Sequence, residues 1–502
     1  MSTRPLPSIF INVLYLLNLI GGLSFQVYIA ARYGASHAMD VFIVTNTIVM
    51  LFIASIVSSL AGGFIPLFTR KQKEEKGGEW RFSGNSLATM AAAATAMLVA
   101  LYFAAPFVLP LALGRGREAV TGADVLLLVL QGASIPLTIM SQVIILSLNC
   151  VSRFLVTGFS SIVNVSFMLG AAVMMEGGWG ITSLGIAVMS GALAQLLFLL
   201  YFYLREMRSA DAIPWPVSLT DKSVYTMMAH SSTLMLAFML FKVGDLVERG
   251  LANSLGEGYV SYIGYSYRLL TVGSSLLSVG LITTAFPALS RMAAENNMEG
   301  MRIRIVGVLK TLVLVLIPIT VWFFGEGDLI IRLFFQRGQF TAHTTAMVFQ
   351  TMKYQVGILW FSAVTTLFTQ VLYSFKEIKK VLMIAAVGST SLILLKYAFM
   401  YIGGFPGLAV STTVNFIAFT VVLYVVIERR IGTLGLLEHI GKERRFATAA
   451  ILLVAISFFV EYFVMEPVVR IMALMTMTAL YGWFVLAGRG FFTPADDLLR
   501  HK

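Results

Sequence analysis

Stretches of about twenty mostly apolar residues, the length a helix needs to cross a hydrocarbon core, recur from one end of this chain to the other. In hydrocarbon every backbone N–H and C=O must be satisfied without water, so runs of this length and composition fold as helices. Such windows fall near 8–30, 40–66, 86–113, 124–148, 154–175, 180–203, 225–251, 262–288, 303–324, 344–374, 381–401, 405–427, 446–464 and 468–488. The chain therefore reads as an all-α polytopic membrane protein with fourteen transmembrane helices. Composition agrees, since 58% of the residues are hydrophobic and only 12% charged, where a soluble domain carries about 25% charge. That balance excludes a soluble enzyme and a disordered chain. A single cysteine, Cys150, excludes a disulfide framework and a cysteine-built metal site. The loops are short, so no soluble domain is expected. The first window runs on through Arg32-Tyr33-Gly34 with no small-residue cleavage pattern, and reads as a retained helix rather than a signal peptide.

An even number of spans places both termini on one side, and the basic residues say which. Of 36 lysines and arginines, 24 fall in loops on the side of the termini. Seven fall opposite, at Arg32, Arg115, Arg117, Arg249, Arg332, Arg337 and Arg470. The excess of positive charge marks the cytoplasmic face, so both termini are expected in the cytoplasm. The same bias accounts for the net charge of +11 without any nucleic-acid partner, and no basic and aromatic stretch is long enough to line a nucleic-acid groove.

The chain repeats itself. Gly34 to Pro66 covers the second span and closes Pro66-Leu67-Phe68-Thr69-Arg70; Gly256 to Pro287 covers the eighth and closes Pro287-Ala288-Leu289-Ser290-Arg291. A second echo relates Ser141-Gln142-Val143 near the end of span four to Thr369-Gln370-Val371 near the end of span ten. Spans one to six thus correspond to spans seven to twelve. Because six is even, the halves share one orientation, as in transporters built from parallel repeats. The expected organisation is a first lobe over 1–210, a second over 211–432, and an accessory segment over 433–502 carrying the last two spans and a cytoplasmic tail. Two pseudo-symmetric six-helix lobes imply a central cleft with alternating access.

Ionisable residues at membrane depth are costly and mark cavities or partners. Five bases lie there: Lys242, Arg268, Lys310, Lys353 and Lys396. Lys310 is close enough to the cytoplasmic end of its span to snorkel. Lys242, Asp245 and Arg249 fall along one face of span seven, with Glu248 beside them. They read either as a self-neutralising ladder or as an ion or headgroup site that couples span seven to span eight. Arg268 lies about 12 Å in from the outer end of span eight at 1.5 Å per residue and has no carboxylate within a turn on its own helix. Its counter-charge must come from Asp245 or Glu248 of span seven or from an anionic cargo, for which guanidinium is a bidentate phosphate ligand. Asp40 opens span two, eight residues after Arg32; it is either a dipole-stabilising cap or half of a gating pair at the outer mouth. The histidines, His37, His230, His343, His439 and His501, lack ligand spacing. No nucleophile elbow, phosphate loop or paired-carboxylate motif is present, which argues against an enzyme.

Several of these residues sit in longer patterns. Asp245-Leu246-Val247-Glu248-Arg249-Gly250-Leu251-Ala252 leads into Leu255-Gly256-Glu257-Gly258-Tyr259-Val260-Ser261, then Tyr265-Ser266-Tyr267-Arg268-Leu269 and Phe286-Pro287-Ala288-Leu289-Ser290. Leu333 to Ala342 reads LFFQRGQFTA, and Arg32-Tyr33-Gly34-Ala35 precedes Met39-Asp40-Val41-Phe42. In this order the motifs resemble the MurJ/MviN family of lipid II flippases, within the MOP superfamily of exporters, over essentially the whole chain. The resemblance implies a multi-pass protein of the bacterial inner membrane that moves a polyprenyl-diphosphate-linked glycan from the inner to the outer leaflet. It implies no cofactor, a coupling cation or the membrane potential as driving force, and cell-wall or polysaccharide synthases as partners. Arg268 would correspond to a cavity arginine and Asp40 to the acid of span two. Arg268, Lys242, Arg32 and Lys353 are the expected substrate contacts; Asp40, Asp245, Glu248 and Arg249 the expected gating or ion-coupling group.

One departure bears on the cargo. The family's lipid II flippases carry arginines within span one and in the middle of span two. Here span one offers Asn18 and Gln26, and the matching part of span two is Leu51-Phe52-Ile53-Ala54. Lipid II of peptidoglycan synthesis and a lipid-linked exopolysaccharide or O-antigen unit both stand as cargoes. A drug/cation antiporter of the MATE type would favour an acidic cavity over these bases.

Overall fold

The computed structural model describes residues 6–114, 120–175, 177–209, 218–375, 377–435, 444–463 and 466–487. Arg115, Arg117, Lys376 and the tail from 488 lie outside the described residues. Every regular element among the described residues is a helix. In chain order these are α1 (Leu6–Tyr33), α2 (His37–Glu74), α3 (Gly78–Leu113), α4 (Gly122–Gly132), α5 (Ser134–Cys150), α6 (Phe154–Met174), α7 (Thr182–Ser209) and α8 (Lys222–Leu255). There follow α9 (Tyr259–Ala294), α10 (Met298–Gly325), α11 (Gly327–Phe335), α12 (Ala342–Gln355), α13 (Gly357–Ser374), α14 (Ile378–Ile431), α15 (Arg444–Phe463) and α16 (Pro467–Ala487). Ten helical stretches among the described residues are long and apolar enough to cross a membrane.

Several elements begin where short polar residues can hold the first free N–H groups of a helix. Ser36 accepts from the Met39 amide at the head of α2, Thr121 and Asp124 form a reciprocal capping box on α4, and Thr341 opens α12 on the Thr344 amide. Two expected spans are interrupted. Span four is divided into α4 and α5 at Ala133, and span ten into α12 and α13 at Val356. Expected spans eleven and twelve run together in α14, which turns sharply at Gly404 (φ 58, ψ −137), a conformation open to residues without a Cβ.

The chain divides into two compact units, Met1–Ser261 and Tyr262–Lys502. The lobes inferred above are a matter of sequence correspondence; the packing units divide after α8, which lies along α2 and α3 within the first unit. Between helices in a bilayer, close backbone approach replaces hydrophobic burial as the source of affinity. A Cβ on Gly63 of α2 would come within 2.8 Å of both the Met227 carbonyl and the Ser231 hydroxyl of α8. At one end of α8, Asp221 caps the helix on the Ser223 amide and accepts from Asn85 Nδ2 of α3 at 2.8 Å. At the other, Asn253 donates to the Leu113 carbonyl at the end of α3. A buried core of Trp80, Ile144, Leu148, Leu196, Leu199 and Tyr203 ties α3, α5 and α7 together, with Tyr203 donating to Ser83.

In the second unit, α9, α10, α13 and α14 share a core that includes Leu289, Leu312, Leu367, Phe368, Leu423 and Ile427. The accessory helices dock on α10: Tyr481 donates to the Leu314 carbonyl and Trp322 to Thr478. Arg470 lies 3.4 Å from Glu326, which is almost fully buried.

Candidate functional site

Among the expected site residues, Asp40 is held by three hydrogen bonds. It lies in the first turn of α2 and is completely buried. Its Oδ2 accepts from the Gly258 amide at 2.6 Å, and its Oδ1 accepts from both the amide and the hydroxyl of Ser261, at 2.9 and 2.6 Å. Gly258 precedes α9 and Ser261 is its third residue, so Asp40 holds two of the N–H groups that the head of that helix leaves free. The turn that presents them needs glycine, with φ of 141° at Gly256 and 88° at Gly258.

The arrangement is reciprocal. Glu257, in the same turn, accepts from the His37 amide at 2.7 Å, and His37 is the first residue of α2. Two helix N-termini, occupying matching places in the sequence repeat, thus exchange carboxylate caps. Each negative group sits where the helix dipole favours it, and charged acceptors make the stronger hydrogen bonds. The hydrogen bonds make Asp40 a cap on another helix rather than on its own. Arg32, its other expected partner, is an exposed residue at the end of α1.

The C-terminal half of α8 carries the ladder expected there. Lys242 Nζ is 2.8 Å from Asp245 Oδ2, with both side chains a little over a third exposed. Glu248 is buried at 5% exposure. Arg249 donates from Nη1 to the Val260 carbonyl at 3.4 Å, while its Nε is buried without a hydrogen-bond partner among the described residues. Asp40, Lys242, Asp245, Glu248 and Arg249 therefore all lie in the first unit, with the head of α9.

Arg268 and Lys353 belong to the second unit. Arg268 is partly buried on α9, nine residues beyond Tyr259. The Lys353 ammonium, on α12, lies 4.2 Å from the ring centre of Phe349 and 5.2 Å from that of Phe324, in range for cation–π attraction. Lys396 is fully buried and donates to Thr412 Oγ1 at 3.0 Å across the Gly404 turn. That base, grouped with the cleft residues by its depth alone, is used between two arms of α14. Ser266 and Gln355 form another buried pair at 2.6 Å, at the α12–α13 interruption. Among the described residues no three histidine, cysteine, aspartate or glutamate side chains group as a metal site would require.

Glu257 and Ser261 carry roles that sequence reasoning did not assign. Both stand within the Leu255-Gly256-Glu257-Gly258-Tyr259-Val260-Ser261 pattern, and that glycine-flanked acid before a helix was the signal available for finding them.

A family model described as lipid II flippase MurJ matches residues 29–478. The lipid II flippase MurJ of Burkholderia cenocepacia is 24% identical over 428 residues, covering 83% of this chain and 82% of its own length. The probable lipid II flippase MurJ of Borreliella burgdorferi is 24% identical over 446 residues, covering 88% and 85%. A solved structure titled lipid II flippase MurJ, inward closed conformation, superposes with a TM-score of 0.77 at 16% identity, covering 95% of this chain and 98% of that one. An inward-facing MATE-family multidrug resistance transporter of the MOP superfamily follows at a TM-score of 0.65 and 13% identity, with 83% and 95% coverage; both likenesses speak to the fold. With the helical membrane architecture and the motif order already in place, a family match across residues 29–478 decides the assignment: the chain belongs to the lipid II flippase MurJ family.

Proposed function

We propose that this protein is a lipid II flippase of the bacterial inner membrane. It moves the polyprenyl-diphosphate-linked precursor of peptidoglycan from the inner to the outer leaflet by alternating access. The observation that carries this reading is the family match over residues 29–478. The chain crosses the bilayer fourteen times with both termini in the cytoplasm, in two six-helix lobes and two accessory helices. The paired interruptions of spans four and ten at Ala133 and Val356 support the two-lobe correspondence. The process needs no covalent chemistry, and a cation gradient or the membrane potential drives it.

Asp40 and Glu257 act as the outer latch. With both caps made, the heads of α2 and α9 are held together; outward opening breaks them and leaves buried N–H groups free, a cost of about 1–3 kcal/mol for each group left unsatisfied. Binding energy from the cargo offsets that cost. Arg268, Lys242, Arg32 and Lys353 contribute the cationic contacts to the diphosphate, and Asp245, Glu248 and Arg249 couple the outer end of α8 to the latch. Peptidoglycan synthases that consume the cargo on the outer face are the expected partners.

One observation favours a second cargo. Span one offers Asn18 and Gln26, and span two Leu51 to Ala54, where the family's lipid II flippases carry arginines. A lipid-linked exopolysaccharide or O-antigen unit is the alternative on that ground. Vesicles containing the purified full chain and fluorescent lipid II in the inner leaflet test the choice. Lipid II flipping that exceeds protein-free vesicles at least tenfold is expected. Flipping of a polyprenyl-diphosphate O-antigen unit alone would favour the second cargo.

A further inference from the structure

A cavity of about 480 Å³ opens in the first unit among α2, α3, α5 and α8. Its walls are hydrocarbon and thioether: Leu60, Met90, Met97, Ile139, Met228 and Met235 line it. Among the described residues no charged side chain lines it. Of the three serines on the wall, Ser59 and Ser232 direct their hydroxyls to carbonyls of their own helices, at Ile56 and Ala229, and the Ser231 hydroxyl is buried without a hydrogen-bond partner among the described residues. Four methionines suit an occupant of irregular shape, because unbranched thioethers repack readily. None of the expected site residues lines it.

The geometry points to a phospholipid of the surrounding bilayer as the occupant, one hydrocarbon chain in the cavity and its phosphate against Lys222. Three relations carry this. Lys222, Tyr225, Ala229 and Ser232 follow at steps of three, four and three residues and so share one face of α8. The last three line the cavity, and Lys222, Tyr225 and Ala229 are exposed. At 1.5 Å per residue, Lys222 stands about 4.5 Å along the helix from Tyr225. A cation at that place is matched to a lipid phosphate, and a tyrosine between cation and hydrocarbon is the usual arrangement at a membrane interface. From Tyr225 to Met235 the lining spans ten residues of α8, about 15 Å of depth, which is half of the roughly 30 Å hydrocarbon core. That is the reach of one chain in one leaflet, and a polyprenyl chain would far exceed it. The lipid acts as a wedge between α3 and α8 beside the Gly63 contact, since Ser231 belongs to both.

Photolabelling tests this with the full chain in vesicles of phosphatidylglycerol carrying a diazirine in one chain. The expected result is adducts concentrated on Met90–Met97 and Met228–Met235. Ala229→Trp, which fills the mouth from an exposed position, should lower them at least tenfold, and Lys222→Gln several-fold. Labelling at Tyr201 of α7, 64% exposed, should be unchanged in both variants, which controls for folding. Adducts at the cavity no denser than at Tyr201, or unaffected by Ala229→Trp, would overturn the proposal. So would stronger labelling of the same peptides by a diazirine polyprenyl phosphate, which would identify the cargo chain as the occupant.

Discussion

Asp40 Oδ1 accepts two hydrogen bonds from Ser261, one from its amide at 2.9 Å and one from its hydroxyl at 2.6 Å, across 221 residues of sequence. Neither residue is exposed to water. A neutral amide in place of the carboxylate keeps one acceptor oxygen and turns a donor toward the Gly258 amide or Ser261. Asp40→Asn is therefore expected to lower flipping at least tenfold with normal expression. Asp40→Ala frees both amides of the α9 head and should destabilise the protein by about 1–3 kcal/mol. Thermal unfolding in detergent measures the second effect; wild-type melting in Asp40→Ala would mean that the cap contributes nothing.

The two reciprocal caps should be separable. Glu257→Gln keeps an oxygen for the His37 amide but removes the charge that complements the head of α2, an interaction worth roughly 0.3–1 kcal/mol. Cysteine accessibility at the heads of α2 and α9 should rise in Glu257→Gln and rise further in the double variant with Asp40→Asn. Equal accessibility in all three proteins would dissociate these caps from gating.

Gly63 sets the spacing of α2 and α8. Gly63→Leu has no room beside Met227 and Ser231, and overpacking of this kind typically costs about 1–3 kcal/mol. Gly84→Ala, in α3 with nothing within 4 Å of the added carbon, should instead be neutral or raise stability by up to about 1 kcal/mol. Melting temperatures of the two variants that shift in the same direction would contradict this packing account.

Asp221 supplies a pH signature outside the spans. Partial burial pushes its carboxyl up, but hydrogen bonds from Asn85 and Ser223, with the nearby charge of Lys71, outweigh it and hold the carboxyl below its ordinary value. A carboxylate lowered in the folded state stabilises above its unfolded pKa of about 3.9, and that stability is lost as pH falls through the folded value. Wild-type melting temperature should fall more steeply below about pH 4 than that of Asp221→Asn. Parallel curves would remove Asp221 from the anchoring of α8.

Lys242 and Asp245 form a half-exposed pair, and such pairs contribute about 0–1 kcal/mol to stability. Lys242→Ala should therefore melt near wild type while lowering flipping, and Arg268→Ala should lower flipping as well. Full activity in both variants at normal expression would reject the assignment of these bases to the diphosphate.

The residues that were legible in the sequence are those whose signal is local. Apolar windows located the helices. Depth along a span singled out Lys242 and Arg268, and place at the head of a span singled out Asp40. Partners were not legible, because periodicity carries no information about which residue faces another across two hundred positions. The two roles open to Asp40 were a cap on its own helix and a pairing with Arg32, yet it serves the head of α9 through Gly258 and Ser261. Lys353 and Lys396 show the same limit: depth marks a base as costly, but only packing reveals aromatic rings at Phe349 and Phe324, or the Thr412 hydroxyl, as its company. The interruptions at Ala133 and Val356 escaped because both residues keep helical backbone angles.

The central claim is tested most directly by complementation in bacterial cells depleted of their own lipid II flippase. Growth is expected to be rescued by the wild-type chain and lost with Asp40→Asn at equal membrane abundance. No rescue by the wild-type chain, with the protein present in the membrane, would contradict the assignment of lipid II as cargo.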